Sequence, residues 1–134
     1  MRIYIKITED IFRAYALENA DGSCDIEDFL DTSNATDQKD ASSRRAMHQR
    51  LEKLVEDKLP TNPGIHHNID DGIWQISSGK YRLMYFFDKD HVVICTHWFA
   101  KRGQKTPPRE IKKARKHREE YFEAKKNNTL SLER

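Results

Sequence analysis

Three runs of alternating aromatic and β-branched residues, Ile73–Ser77, Lys80–Phe87 and His91–Phe99, constrain this chain more than any other feature. They are separated only by Ser78-Gly79 and by Asp88-Lys89-Asp90. A period of two puts successive side chains on opposite faces, and connections this short join only antiparallel neighbours. The runs therefore predict an antiparallel meander over residues 73–99. Trp74, Ile76, Tyr81, Leu83, Tyr85 and Phe87 share one face and form a core, whereas Gln75, Lys80, Arg82 and Met84 share the other. A charge in the middle strand of a meander belongs on an open face, which makes Arg82 the first candidate for function. The plainer alternative is a surface ion pair with a carboxylate such as Asp88.

A meander needs cover, and the flanking sequence offers it. Residues 3–7 alternate as a strand, and Phe12 to Leu17 suit a second strand or a short helix, with the strand favoured. After the turn signal at Ala20-Asp21-Gly22-Ser23, the segment 25–30 places acids in a first helical turn and apolar residues on one face. The polar stretch 31–40 reads as loop. From an N-cap at Ser42 or Ser43, Met47, Leu51, Leu54, Val55 and Leu59 recur at helical spacing until Pro60, with Pro63-Gly64 beyond. Thr106-Pro107 supplies a cap and a first-turn proline for a last helix, traced by Ile111, Ala114, Arg118, Tyr121 and Phe122 to about Lys126. The tail after Asn127 should fray. One α+β domain of 134 residues results, with an N-terminal strand region (1–24), helices (25–60), the meander (73–99) and a basic helix (106–126).

Mean hydropathy is low at −0.91, yet 2 Trp, 5 Tyr and 6 Phe suffice for a compact core. No apolar run is long enough to span a membrane, and no charged and apolar leader precedes the first strand. Cys24 and Cys95 match neither a metal-ligand spacing nor a disulfide framework, which leads us to expect a reduced, cytoplasmic protein without metal. His66-His67 falls in the breaker region and reads as a turn or surface pair. Net charge is only +2, but it is unevenly spread. Residues 1–40 hold 4 Lys/Arg against 10 Asp/Glu, and residues 101–134 hold 12 against 5. A basic C-terminal quarter suits a polyanion such as nucleic acid, because clustered cations gain affinity by releasing phosphate counterions. A solvated helix face would look the same.

Two stretches carry a resemblance. Trp74-Gln75-Ile76-Ser77-Ser78-Gly79-Lys80-Tyr81-Arg82-Leu83-Met84-Tyr85-Phe86-Phe87, and then His97-Trp98-Phe99-Ala100-Lys101-Arg102-Gly103-Gln104-Lys105-Thr106-Pro107, resemble the RelE/ParE toxin superfamily, nearest its phage-derived, HigB-like branch. With the helical pair upstream, the likeness spans roughly residues 12–125. It implies a RelE-like fold, an antiparallel sheet packed against two helices from the N-terminal half with a basic C-terminal helix. It further implies a type II toxin that cuts messenger RNA on the ribosome without metal or cofactor, held off by a helix-turn-helix (HigA-like) antitoxin in a heterocomplex.

On that resemblance Arg82 braces the scissile phosphate, Lys101 and Arg102 stabilise charge or move a proton, and His97 is the candidate acid or base. Gln75, Lys80, Lys105, Arg109, Lys112, Lys113 and Lys116 contact RNA. Guanidinium and ammonium groups suit this work because a phosphate passing through a pentavalent dianion needs fixed positive charge. The founding branch carries lysines on the first meander strand, where this chain has Ile73 and Gln75, which leaves the general base unassigned. Trp98 suits the core, or a stacking surface for a base. A ParE-like gyrase poison and a basic nucleic-acid-binding phage accessory protein are the alternatives, since a shared fold does not fix function.

Overall fold

In the computed structural model, which describes residues 1–103 and 105–133, the three runs form the expected meander of β4 (Ile73–Ser78), β5 (Tyr81–Asp88) and β6 (Val92–Ala100). Ser78 pairs with Tyr81 across the two-residue connection Gly79-Lys80, and Gly79 takes φ +57. A Cβ at Gly79 would meet Ser43 Oγ at 2.5 Å, so both the turn and its packing exclude a side chain there. At the other end Asp88 pairs with Val92, and Asp90 and His91 both adopt left-handed φ, the geometry whose twist matches a hairpin.

The sheet is larger than a meander with one or two added strands. Seven strands run in the order β3-β4-β5-β6-β2-β1-β7, with β1 at Arg2–Glu9, β2 at Arg13–Leu17, β3 at His66–Asp70 and β7 at Leu130–Glu133. It is mixed, because β2 lies parallel to β6 and β7 parallel to β1. Two expectations are corrected by these strands. His66-His67 opens β3 rather than sitting in a breaker loop, and His66 is buried, stacked on Trp74 at 4.8 Å and hydrogen-bonded to the Tyr85 hydroxyl. The tail does not fray, since Asn128 at φ 57 turns the chain so that Leu130 to Glu133 reaches the edge of β1. Both strands are short, five residues and four, so neither carries a period long enough to read.

Three helices complete the fold: α1 (Asp25–Leu30), α2 (Gln38–Val55) and α3 (Pro108–Lys126). Helix α2 starts before Ser42, because the Asp37 side chain accepts the Asp40 backbone N–H and caps the helix there. It ends at Val55, short of Leu59, with Asp57 in the left-handed region just beyond. Helices α1 and α2 cover one face of the sheet. Their side of the core joins Phe29, Met47, Leu51 and Val55 to Ile76, Tyr81, Leu83 and Tyr85. Trp98 stacks on Phe29 at 4.5 Å in this layer, and the Arg44 guanidinium lies 5.1 Å from the Phe29 ring.

The other face is not open. Helix α3 folds back over it, and its Ala114 and Tyr121 pack with Tyr4, Tyr15, Met84, Phe86 and Ile94. Its apolar stripe requires such a surface. The expected exposure of Gln75 and Met84 is therefore corrected: both are buried, whereas Arg82 is half-buried. No helix among the described residues is long and apolar enough to cross a membrane.

Candidate nucleic-acid interface

Cross-strand rows on the α3 face locate the candidate residues. Gln75, Met84 and His97 share one row, and Ser77, Arg82 and Phe99 form the next toward the hairpin end. Helix α3 begins over the first of these rows, where Glu110 in its opening turn lies 3.1 Å from His97 Nε2. Arg82 stands one row beyond the helix, beside the 101–107 segment that links β6 to α3.

Backbone alone fixes Arg82. Its Nη1 donates to the carbonyls of Gly79 and Tyr81, each at 2.8 Å, and its Nε is buried without a hydrogen-bond partner. Among the described residues no carboxylate pairs with it, and Asp88 is instead occupied by Tyr121 Oη at 2.7 Å and Lys125 Nζ at 2.8 Å. Lys101 sits close by. Its backbone N–H donates to the Lys80 carbonyl at 2.7 Å, and burial together with the charge of Arg82 pushes its ammonium below the ordinary lysine range. Two cations thus share one corner, and no carboxylate among the described residues pairs with either. Arg102 and Lys105 are exposed on the same segment, while Gln104 lies outside the described residues.

The remaining candidates divide. The Lys80 ammonium lies 5.4 Å from the Tyr81 ring, which belongs to the α1/α2 side. Gln75 is 2 % exposed and accepts a hydrogen bond from Thr106 Oγ1 at 2.7 Å, so it offers no surface to RNA. This hydroxyl does not cap α3 as its position before Pro107 suggests; Pro107 itself holds the cap position. His97 is also buried, with Thr96 Oγ1 at 3.1 Å from Nδ1 and Glu110 on Nε2. Burial, and then the charge of Lys113, pull its pKa down to about 4, so the ring is neutral and both nitrogens are engaged. That geometry suits a strut between β6 and α3 better than a proton carrier. Arg109 is 82 % exposed beside Glu110 at 3.6 Å. Lys112 and Lys116 each lie two residues, about 200° of turn, from the buried Ala114 and face solvent. Lys113 borders a separate 210 Å³ cleft with His97, His117 and Trp98.

Reasoning from sequence missed Thr106, whose hydroxyl ties the cationic segment to the sheet, and Glu110. The available signal was Gln75 itself, a polar residue in the middle of an apolar strand. Among the described residues, no group of three or more His, Cys, Asp or Glu side chains could hold a metal ion.

A small mixed α+β domain with a cationic corner at one end of its sheet is the class that fold and site define. The model of the family described as Phage derived protein Gp49-like (DUF891) matches residues 35–119, and the chain belongs to that family. This family is associated with the toxins of toxin–antitoxin systems. The matched span runs from just before α2 into α3 and contains every candidate residue from Gln75 to Lys116. No curated protein matches the chain.

Proposed function

We propose that this protein is a toxin of a type II toxin–antitoxin system that cleaves messenger RNA in the ribosome, and that the corner of Arg82, Lys101 and Arg102 holds the scissile phosphate. The observation that carries this reading is the neighbouring pair of a half-buried arginine and Lys101, which no carboxylate among the described residues answers. An ion pair would already be neutral, whereas fixed positive charge that no carboxylate neutralises is what a phosphate's dianionic transition state needs.

The reaction follows from these groups. The 2′-oxygen of the nucleotide attacks its own phosphorus while the P–O5′ bond breaks, giving a 2′,3′-cyclic phosphate and a 5′-hydroxyl. The 2′-proton passes to a base and a proton reaches the departing 5′-oxygen. Arg82 is preorganised by two carbonyls to brace the equatorial oxygens, and Arg102 adds charge from the exposed side. Lys101, beside Arg82 at the start of the segment, stabilises charge or moves a proton. Lys105 and Arg109 extend the cationic track along the message. A helix-turn-helix antitoxin that covers this corner, or blocks entry to the ribosome from a remote surface, would silence it.

Primer extension on a defined message in a reconstituted bacterial translation reaction tests the reading. Cleavage should require ribosomes and vanish with Arg82→Ala. A wild-type protein that cuts nothing with or without ribosomes overturns it and puts gyrase poisoning first.

A further inference from the structure

Gln75 poses a problem that the proposed chemistry does not solve. A primary amide at 2 % exposure in the middle of a strand gives up its hydration, a loss that must be offset by protein hydrogen bonds. The bond the structure shows is the one from Thr106 Oγ1, at 2.7 Å. Among the described residues, it is the one hydrogen bond that ties a side chain of the 101–107 segment to the sheet.

The segment is held at two points. Its start is fixed by the ladder bond from Lys101 N–H to the Lys80 carbonyl, 2.7 Å, and its end by Thr106 on Gln75. Lys101, Arg102 and Lys105 fall within this span. Beyond it, Pro107 and Pro108 stiffen the exit, and the strut from His97 to Glu110 seats the first turn of α3. Gln75 lies two residues from Ser77, the cross-strand partner of Arg82, which is about 7 Å along the sheet. The latch therefore fixes the segment one row from the arginine it must complement. Without it, no side-chain hydrogen bond among the described residues of the segment would hold it to the sheet, and the cations would converge on a phosphate only part of the time.

We infer that Gln75 is a positioning residue, which acts through Thr106 to hold the cationic segment 101–107 against Arg82 rather than by touching RNA. The inference rests on the reading of the corner as an RNA phosphate site, but the latch itself is testable without cleavage.

The decisive variants are Thr106→Val, which keeps the shape and removes the hydroxyl, Thr106→Ser, which keeps the hydroxyl, and Gln75→Leu as an independent second break. Native-state trypsin cutting, followed by mass spectrometry, reads the segment directly because Lys101, Arg102 and Lys105 are its sites. Thr106→Val and Gln75→Leu should raise cutting there about tenfold with other sites unchanged, and Thr106→Ser should behave as wild type. Equal cutting in Thr106→Val and wild type, or a rise spread over the whole chain, overturns the latch. In the ribosomal cleavage reaction Thr106→Val should lower kcat/KM about tenfold and Thr106→Ser should restore it, since the untethered cations meet the phosphate only part of the time. The affinity of a short fluorescein-labelled single-stranded RNA should also fall severalfold, and Thr106→Val should add nothing once Lys101 and Arg102 are alanine. A loss of equal size in that background overturns the positioning role. If wild type cuts no message, the nuclease reading fails, and the trypsin and RNA-affinity results still decide the latch.

Discussion

The cations at the two ends of the α3 face look alike in sequence and differ in structure. Toward the β3–β4 and β5–β6 turns, Arg115 pairs with Asp70, Arg118 donates to the Asp71 carbonyl at 2.7 Å, and Lys125 meets Asp88 at 2.8 Å. At the hairpin end Arg82, Lys101, Arg102 and Lys105 have no carboxylate partner among the described residues. The first group staples the helix to the loops below it. The second is left with its charge uncompensated on a rigid strand and a tethered segment. A count of basic residues treats the two groups as equal, yet only the second is free to receive an anion.

The sharpest way to break this comparison is to exchange one member from each end. Arg82→Ala should reduce ribosome-dependent cleavage by about 100- to 1000-fold, the scale for losing one preorganised donor to transition-state charge, with the far-ultraviolet circular dichroism unchanged. Arg82→Lys should recover only part of this, because one ammonium cannot make both backbone hydrogen bonds of Nη1 and still present a second nitrogen to the phosphate. Arg115→Ala should leave cleavage within twofold and lower Tm slightly, as expected of a partly exposed pair. Comparable losses from Arg82→Ala and Arg115→Ala would mean the two ends are not distinct in function.

Asp88 sharpens the stapled end. Burial alone would raise its pKa, but hydrogen bonds from Lys125 and Tyr121 hold the carboxyl below the ordinary range. Asp88→Ala strips both donors of their partner and should cost about 1–3 kcal/mol, read as a Tm drop of several degrees with cleavage at permissive temperature nearly intact. An unchanged Tm would remove the staple from the account.

The polar layer between β6 and α3 makes a prediction in pH. His97 is buried and His117 half-buried, and desolvation lowers both to about 4 from an ordinary 6.5. His117 is hydrogen-bonded by Tyr4 Oη at 2.5 Å, and His97 by Thr96 and Glu110. Between those values the unfolded chain binds protons that the folded chain refuses, so stability is full above about pH 6.5 and falls as pH drops toward 4, by up to about 1 kcal/mol per pH unit for each ring. Asp40, held at about 2 chiefly by the Tyr81 hydroxyl, resists protonation until more acid conditions and adds its loss below the histidine window. Thermal melts from pH 7.5 to 4.5 should therefore fall earlier in wild type than in His97→Gln. A flat profile through pH 5 would show that the rings titrate normally and are not locked neutral.

What could be read from the chain follows from period and length. The meander and α2 were legible because six to nine residues of alternation, or about four turns of apolar stripe, leave one compatible geometry, and the short first helix because a turn signal and an acidic first turn mark its start. His66–Asp70 and Leu130–Glu133 were not, since a strand of only four or five residues is specified by the edge it joins rather than by its own pattern. Arg82 and the Lys101-Arg102 pair were legible as site candidates by position and by resemblance. The role of Gln75 was not, because the sequence places it on the same face as Arg82 but says nothing of a helix arriving from residue 108 to bury it. Likewise Ser42, Ser43 and Thr106 all had the chemistry of a helix cap, and none caps one: Asp37 caps α2 upstream and leaves both serines inside the helix, and Thr106 latches Gln75.

The smallest effect is expected where the sequence drew most attention to charge. Lys112 and Lys116 face solvent from α3, about half a turn from the sheet, and neither shares a row or a segment with Arg82. If they touch RNA at all, each neutralises a phosphate at long reach and adds only to the salt-dependent part of binding. The double variant Lys112→Ala/Lys116→Ala should weaken affinity for single-stranded RNA by less than about threefold near physiological salt, with kcat for ribosomal cleavage unchanged. A plot of log affinity against log salt should flatten by no more than about 0.7 for each lysine. A loss of kcat in this variant would extend the reactive corner along the solvent face of α3 and erase the distinction between bystander and working cations.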